Sequence, residues 1–272
     1  MSLLAGRTAI VTGSGRSIGR AVAKLLADHG ARVVVNDLDA EPAGETAAEI
    51  RDSGAEVALC VGSVTDPDVP ARIVQTALDA FGSVDILVNN AGYTWDGVIH
   101  KMGDDQFEAM LDVHLTAPFR MVRAAAPFLR ESAKADLAAG RPPPCRKIVN
   151  VSSTSGVAGN AGQINYAAGK MGIVGMTKTI AKEWGRFNIC CNAVAYGFIE
   201  SRLTQAKELG ETTSTGIALG IPSAMREAAL NFIPLRRYGT PREAAGPVLF
   251  LASPLSDYVT GSVVLVTGGS VV

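Results

Sequence analysis

The sequence predicts a doubly wound, parallel α/β sheet in a single domain, on three observations. A short apolar run, TAIVTG, ends in the glycine-rich turn TGSGRSIG, which leads directly into helical periodicity. Downstream, helical stretches closed by glycine alternate with short β-branched runs, the pattern of parallel strands joined by right-handed crossovers. The 272 residues, 47% of them hydrophobic, suffice to bury a substantial core.

Taken in order, the first strand is TAIVTG, and the helix IGRAVAKLLADHG follows Ser17 and stops at Gly30. VVVND is the second strand, closed by Asp37. Helices ending near Gly54 and Gly82 precede the third and fourth strands, EVALCV and VDILVNN, each glycine being suited to a helix C-cap. In DPDVPARIVQTALDAFG, Asp66 is the expected N-cap and Pro67 the first helical residue. A loop, YTWDGVIHKMGDD, leads into a helix expected from about Asp104 to Ala133. Pro142, Pro143 and Pro144 interrupt the chain beyond that helix, so 131–147 reads as an exposed surface insertion; the next strand comes too soon for a domain boundary. That strand is KIVNV, followed by a Ser/Gly/Asn-rich loop and a helix beginning near Gln163. ICCNAVA is the sixth strand, and 196–238 is irregular, the expected substrate-binding segment. Thr240 and Glu243 form a capping box around Pro241, and GSVVLVTGG supplies the seventh strand.

Composition excludes several classes. With 25 basic and 26 acidic residues the net charge is −1, which gives no electrostatic case for a nucleic acid or an anionic membrane as partner. Cys60, Cys145, Cys190 and Cys191 lack CxxC spacing, and His29, His100 and His114 make no metal-ligand cluster, so neither a metal nor a disulfide framework is expected. Together with the absence of room for a signal peptide before the first strand, this points to a reducing cytoplasm.

The chemistry-bearing pattern lies between Lys147 and Ile180. Ser153 precedes Tyr166 by thirteen residues and Lys170 follows by four, placing tyrosine and lysine on one helix face and serine at a strand end. A phenol can exchange a proton with a carbonyl or alcohol, a serine hydroxyl can hold the oxygen, and an ammonium can favour the phenolate. Free tyrosine titrates near ~10, and one positive charge at about 4 Å in an effective dielectric of about 20 supplies roughly 4 kcal/mol, enough to depress it by about three units.

In TGSGRSIG, glycines let the backbone approach closely and the following helix offers free N–H groups, the arrangement that receives a pyrophosphate. Asp37 closes the second strand eighteen residues beyond Gly19, where a carboxylate accepts from both adenosine ribose hydroxyls and repels a 2′-phosphate. This favours NAD, with NADP kept open by Arg16.

With Ser153, Tyr166 and Lys170, NNAG at Asn89 to Gly92 and TGSGRSIG at Thr12 to Gly19, the chain resembles the short-chain dehydrogenase/reductase family over nearly its whole length, nearest its 3-oxoacyl-(acyl-carrier-protein) reductase-like branch. The resemblance implies a seven-stranded Rossmann sheet flanked by helices, a homotetramer, and hydride transfer between a nicotinamide and a carbonyl or secondary alcohol. It implies that Tyr166 handles the proton, Lys170 lowers its pKa and holds ribose, and Ser153 positions the oxygen. Cofactor contacts carried over are Gly13, Arg16, Ser17, Ile18, Gly19, Asp37, Leu38, Ser63, Val64, Asn90, Ala91, Gly92, Gly197 and Ile199, besides Tyr166 and Lys170.

Four positions depart from the family pattern, one of them Ser63, which stands where an acid that helps hold adenine is usual. Ser17 replaces the middle glycine of the turn, His114 stands where a catalytic asparagine opens a helix to water, and Tyr196 replaces a proline, with a ring expected beside the nicotinamide. Substrate walls are expected from Tyr93 to Asp96, Gly159 to Gly162 and Glu200 to Arg237, with contacts from Trp95, Gln163 and Tyr196. Apolar residues of 196–238, among them Leu203, Ile217, Leu219, Ile221, Met225 and Phe232, suggest a pocket for a small carbonyl or alcohol or an acyl thioester. The rival readings are a catalytically weak nucleotide-binding protein on the same fold and a sugar epimerase or dehydratase; the intact serine, tyrosine and lysine oppose the first, the glycine spacing the second.

Overall fold

The computed structural model describes residues 2–213 and 215–271. Taken along the chain, its elements begin with β1 (Thr8–Thr12), α1 (Ser17–Asp28), β2 (Arg32–Asp37), α2 (Ala40–Asp52), β3 (Val57–Val61), α3 (Val69–Phe81) and β4 (Ile86–Asn89). They continue with α4 (Asp104–Leu111), α5 (Ala117–Ala126), α6 (Ser132–Ala138), β5 (Arg146–Ser153), α7 (Thr154–Ala158) and α8 (Ile164–Trp184). The last are β6 (Ile189–Tyr196), α9 (Ser223–Phe232), α10 (Pro241–Ala252) and β7 (Val263–Val266).

The seven strands form one parallel sheet in the order β3-β2-β1-β4-β5-β6-β7. Alternate strand residues enter two separate packed clusters. Ile10, Val34, Leu87 and Ile148 join α3, α5 and the end of α8 on one face; Ala9, Val11, Val33, Val35, Val88 and Val149 join α1, α2 and α10 on the other. With both faces covered the central strands keep no wet side, which is why they read as unbroken apolar runs rather than as alternating ones; only the edge strands β3 and β7 expose a residue each, Leu59 and Leu265. Because strand order reverses between β1 and β4, a crevice opens at the carboxyl ends of the strands.

Several expected boundaries move. Helix α3 starts at Val69 with Asp68 before it and Pro70 near its first turn. Asp66 instead makes a turn, its N–H donating to the Ser63 carbonyl and its own carbonyl accepting from Val69 N–H. The helix begun at Asp104 runs on to Ala138, past Ala133, through two π-helical segments, Asp112–Thr116 and Pro127–Glu131. Only 139–145 of the expected insertion is loop, and β5 begins one residue early, with Arg146 and Lys147 buried. The segment after β6 contains α9. The capping box is present: the Thr240 hydroxyl accepts from Glu243 N–H while the Glu243 carboxylate accepts from Thr240 N–H. Among the described residues, no helix is long and apolar enough to cross a membrane.

Candidate active site

The crevice deepens into a cavity of about 590 Å³ at the carboxyl ends of β1, β2, β4, β5 and β6. On one side is the glycine turn between β1 and α1. Gly13 has φ +62° and a Cβ there would meet the Ala91 Cα at 2.6 Å; a Cβ on Gly19 would overlap the Gly13 carbonyl oxygen. Asn90 ties the same turn down, its side-chain amide donating to the carbonyls of Thr12 and Gly13, both at 2.9 Å. NNAG is therefore a clamp on the glycine turn as well as a wall of the cavity. Arg16, at the N-cap of α1, provides no side-chain cap, so the first-turn N–H groups stay free for a ligand.

Asp37 ends β2 with its carboxylate accepting from Gly15 N–H at 2.8 Å and Asp39 N–H at 3.2 Å. Arg16, the one cation expected to attract a 2′-phosphate, is paired with Asp39 at 3.4 Å. Every cofactor position expected from the sequence, from Gly13 through Leu38, Ser63, Val64, Asn90, Ala91 and Gly92 to Gly197 and Ile199, lines this one cavity. A free helix N-terminus, a turn without Cβ atoms and an acid at the next strand end fit the phosphates and ribose of a dinucleotide.

Across the cavity stand Ser153, Tyr166 and Lys170. Ser153 is the last residue of β5, registered with Tyr196 at the end of β6; its hydroxyl lies 3.5 Å from the Tyr196 carbonyl and accepts from Ser155 N–H at 3.2 Å. Helix α8 carries Tyr166 and Lys170 one turn apart, as their spacing demands. Lys170 is 4% exposed and its ammonium donates to the Val151 carbonyl at 2.7 Å, with Nζ 5.6 Å from the centre of the Tyr166 ring.

The electrostatics differ from the expectation of a tyrosine depressed by its lysine. Burial pushes the Tyr166 phenol up to about 12, opposed by a hydrogen bond with Ser153 and reinforced by the charge of Asp96. Burial also brings the Lys170 ammonium down to about 7. The same low-dielectric pocket disfavours both charges, and Lys170 reaches the backbone rather than the phenol oxygen.

His114 sits in the middle of the first π-helical segment, 2% exposed, its ring edge-on to Tyr166 at 4.8 Å between centroids. Nε2 lies 2.7 Å from the Tyr93 carbonyl, which fixes the proton on Nε2. Nδ1 is then a bare acceptor, and among the described residues it has no partner. Burial, helped by the charge of Lys170, holds this imidazole well below its usual range, so it stays neutral. Two glycines make room for the ring: a Cβ on Gly92 would collide with it, and one on Gly169 would come within 2.9 Å of the His114 Cβ.

Of the three expected substrate contacts, only Gln163 presents its side chain to the cavity. Its amide donates to both Asp96 oxygens, at 3.0 and 3.1 Å, and its carbonyl oxygen accepts from Ser155 and Asn160. Trp95 packs against the core while Tyr93, Thr94 and Asp96 on either side of it face the cavity. The Tyr196 ring is not beside the cofactor cavity: it is buried in the opposite cluster, its hydroxyl donating to the Ala244 carbonyl on α10 at 2.7 Å, and only its backbone borders the site. The region after β6 brings Phe198, Ile199 and part of its expected apolar set to the cavity wall. Leu203 and Ile221 line the cavity, but Leu219 is buried elsewhere and Met225 and Phe232 are 62% and 76% exposed. Asp96, whose carboxyl is raised by burial against the opposing hydrogen bond of Gln163, lies in the stretch from Tyr93 to Asp96 expected as a substrate wall, although Trp95 and not Asp96 is the contact expected from it.

A family model described as "Enoyl-(Acyl carrier protein) reductase" matches residues 13–270. The chain is similar to the 3-oxoacyl-(acyl-carrier-protein) reductase FabG of Thermotoga maritima, 38% identical over 269 residues that cover 99% of each chain. It is similar to the 3-oxoacyl-(acyl-carrier-protein) reductase of a Synechocystis species, 36% identical over 273 residues covering 100% of this chain and 99% of that one. An uncharacterised oxidoreductase of Mycobacterium bovis is 40% identical over 269 residues, 98% of each. On these full-length likenesses, together with the parallel sheet and the motifs around its crevice, the chain belongs to the short-chain dehydrogenase/reductase family, as an oxidoreductase that acts on a CH–OH group with a nicotinamide cofactor.

Proposed function

We propose that the protein interconverts a 3-oxoacyl thioester and its 3-hydroxy form, with NADH as the preferred hydride donor. The observation that carries the reading is the convergence of the Ser153 hydroxyl, the Tyr166 phenol and the Lys170 ammonium on one cavity, opposite the glycine turn. When bound, the nicotinamide supplies or receives the hydride. Tyr166, held as the neutral phenol, donates its proton to the carbonyl oxygen in reduction, and Ser153 holds that oxygen by its hydroxyl. Lys170 in its protonated form eases loss of the phenol proton and binds the ribose. His114, neutral and locked, cannot carry a proton by becoming charged; it braces the Tyr166 ring, and its Nδ1 is an acceptor for a water that connects Lys170 to solvent.

Asp37 supports NADH, since its carboxylate stands at the end of β2 beside the glycine turn, where it would accept from an adenosine ribose, and Arg16, already paired to Asp39, is poorly free to offset it. The polar wall of Thr94, Asp96, Ser155, Asn160 and Gln163 suits the amide-rich arm of a thioester better than a bare hydrocarbon chain. The acyl carrier named in the similar reductases is the corresponding substrate carrier here.

The test follows nicotinamide absorbance with a short 3-oxoacyl thioester and, in parallel, the matching enoyl thioester, each with NADH and NADPH. Turnover of the oxo substrate by NADH, with Tyr166→Phe slower by roughly 10²- to 10⁴-fold yet still binding NADH, is the expected result. Turnover of the enoyl substrate alone would move the reaction to the C=C bond, and full activity in Tyr166→Phe would remove the mechanism.

A further inference from the structure

At the far end of β5 and β6 from Ser153, two thiols face each other. Cys145 immediately precedes β5, Cys190 is the second residue of β6, and their Sγ atoms are 3.7 Å apart. Lys147 is registered opposite Cys190, so the side chains of 145, 147 and 190 share one face of the sheet edge. The Lys147 ammonium is buried beside them, 2.8 Å from the Asp257 carboxylate and 3.2 Å from the Ser256 hydroxyl. The hydrogen bond from Cys145, aided by the charge of Lys147 and opposed by burial, draws the Cys190 thiol down to about 7. Cys145 is half-buried in the loop behind Pro142, Pro143 and Pro144, whereas Cys190 is 6% exposed. Cys145 is therefore the more exposed of the two, and the more acidic thiol stands beside it.

We propose that Cys145 and Cys190 are a thiol–disulfide site that closes into a reversible intrachain disulfide on reaction with a small disulfide such as oxidised glutathione. The Cys145 thiol is pushed up by its hydrogen bond to Cys190 and by burial, so its sulfur attacks the reagent as its proton passes to the neighbouring Cys190 thiolate; the reagent's S–S bond breaks, a mixed disulfide forms and one glutathione thiolate leaves, taking up that proton. The Cys190 thiolate then attacks the Cys145 sulfur, the mixed bond breaks and the second glutathione leaves. Two electrons pass from the protein to the reagent, and the two thiol protons end on the two glutathiones. The sulfurs must close from 3.7 Å to about 2.05 Å, and Cys145, outside the strand ladder, is the one able to move. The crosslink would join positions 45 residues apart, and Cys190 lies six register steps, roughly 20 Å, from the Ser153–Tyr196 pair. It is therefore a staple on stability and leaves the cavity untouched. The thiol pair does not depend on which thioester the cavity takes.

The experiment incubates the full chain with oxidised glutathione under native conditions. Free thiols counted after unfolding should fall from four to two, a proteolytic map should join the peptides bearing Cys145 and Cys190, and Tm should rise by roughly 5–10 °C. Dithiothreitol should reverse all three. Cys145→Ser should show neither the link nor the rise, and this loop variant carries the test if Cys190→Ser does not fold. Glutathione retained on Cys145, linkage of Cys145 to a second chain, an unchanged thiol count, or a Cys145–Cys190 link without a rise in Tm would each overturn the proposal.

Discussion

Ser17 is the first residue of α1 and adopts φ +46°, in the left-handed region where an L side chain is strained. The strain costs roughly 1–2 kcal/mol, against which a glycine would lose about 0.5–1 kcal/mol to the greater freedom of the unfolded chain. Ser17→Gly should therefore raise stability by about 0.5–1 kcal/mol, read as an upward shift of the urea midpoint; a downward shift would show that the serine is anchored by more than its backbone. The serine's retention is intelligible at the cavity, where its side chain faces the place a phosphate would take. Tyr196 and Trp95 give the opposite lesson. Tyr196 is expected beside the nicotinamide because it takes the place of the family's proline, and Trp95 because it is the large apolar residue of an expected substrate wall, yet one turns into the α10 layer and the other into the core, with Thr94 and Asp96 taking the wall. Which way a side chain leaves a strand end or a loop is set by packing partners far away in sequence, here Ala244 for Tyr196, and no local spacing records it.

At the scale of single elements, α8 joins the fold to the chemistry. Its i, i+4 pair is legible in the sequence because helix geometry alone puts Tyr166 and Lys170 on one face, and Ser153 is legible because an apolar β-branched run ends there. The direction of their pKa shifts is not legible, since it depends on burial by elements distant in sequence. That burial makes a pH-dependent stability. Lys170 titrates at about 7 in the folded protein against an ordinary value of 10.5, so above pH 7 the unfolded chain binds more protons than the folded one. Stability of the cofactor-free protein should rise with pH from 7 towards 10 and be insensitive to this group below 7. Tyr166, raised to about 12, acts in the reverse sense only above pH 10, where the unfolded phenol ionises first. Urea midpoints measured across pH 7 to 10 should climb in the native sequence and climb less in Lys170→Met; an equal climb in both would assign the effect to other groups.

For the molecule as a whole, alternation of helix and strand is enough to foresee one doubly wound parallel sheet, because the buried strands keep apolar residues on both faces and glycines close the helices that precede them. The sheet order then places Asp37, the glycine turn and the three catalytic candidates around one crevice, so the choice between dinucleotides is a property of topology and net local charge together. Asp37→Asn retains a hydrogen-bond acceptor but removes the charge, and the preference for NADPH over NADH should move by about tenfold or more, equivalent to about 1.4 kcal/mol of relieved repulsion. Parallel initial rates with the two cofactors measure it, and an unmoved ratio would return the selectivity to Arg16.

The π-helical turn that holds His114 carries one residue more than regular winding needs, so the helix between Asp104 and Ala126 tolerates, by length alone, the removal of a single residue. Deleting one position from 112–116 would let the hydrogen bonds heal into an ordinary α-helix while swinging the upstream half, with Met110, by about a quarter-turn against α8. The chain would lose its brace on Tyr166 without losing a helix. Foldability and turnover are thus written into the same five residues in separable form, and a one-codon deletion is the cut that parts them.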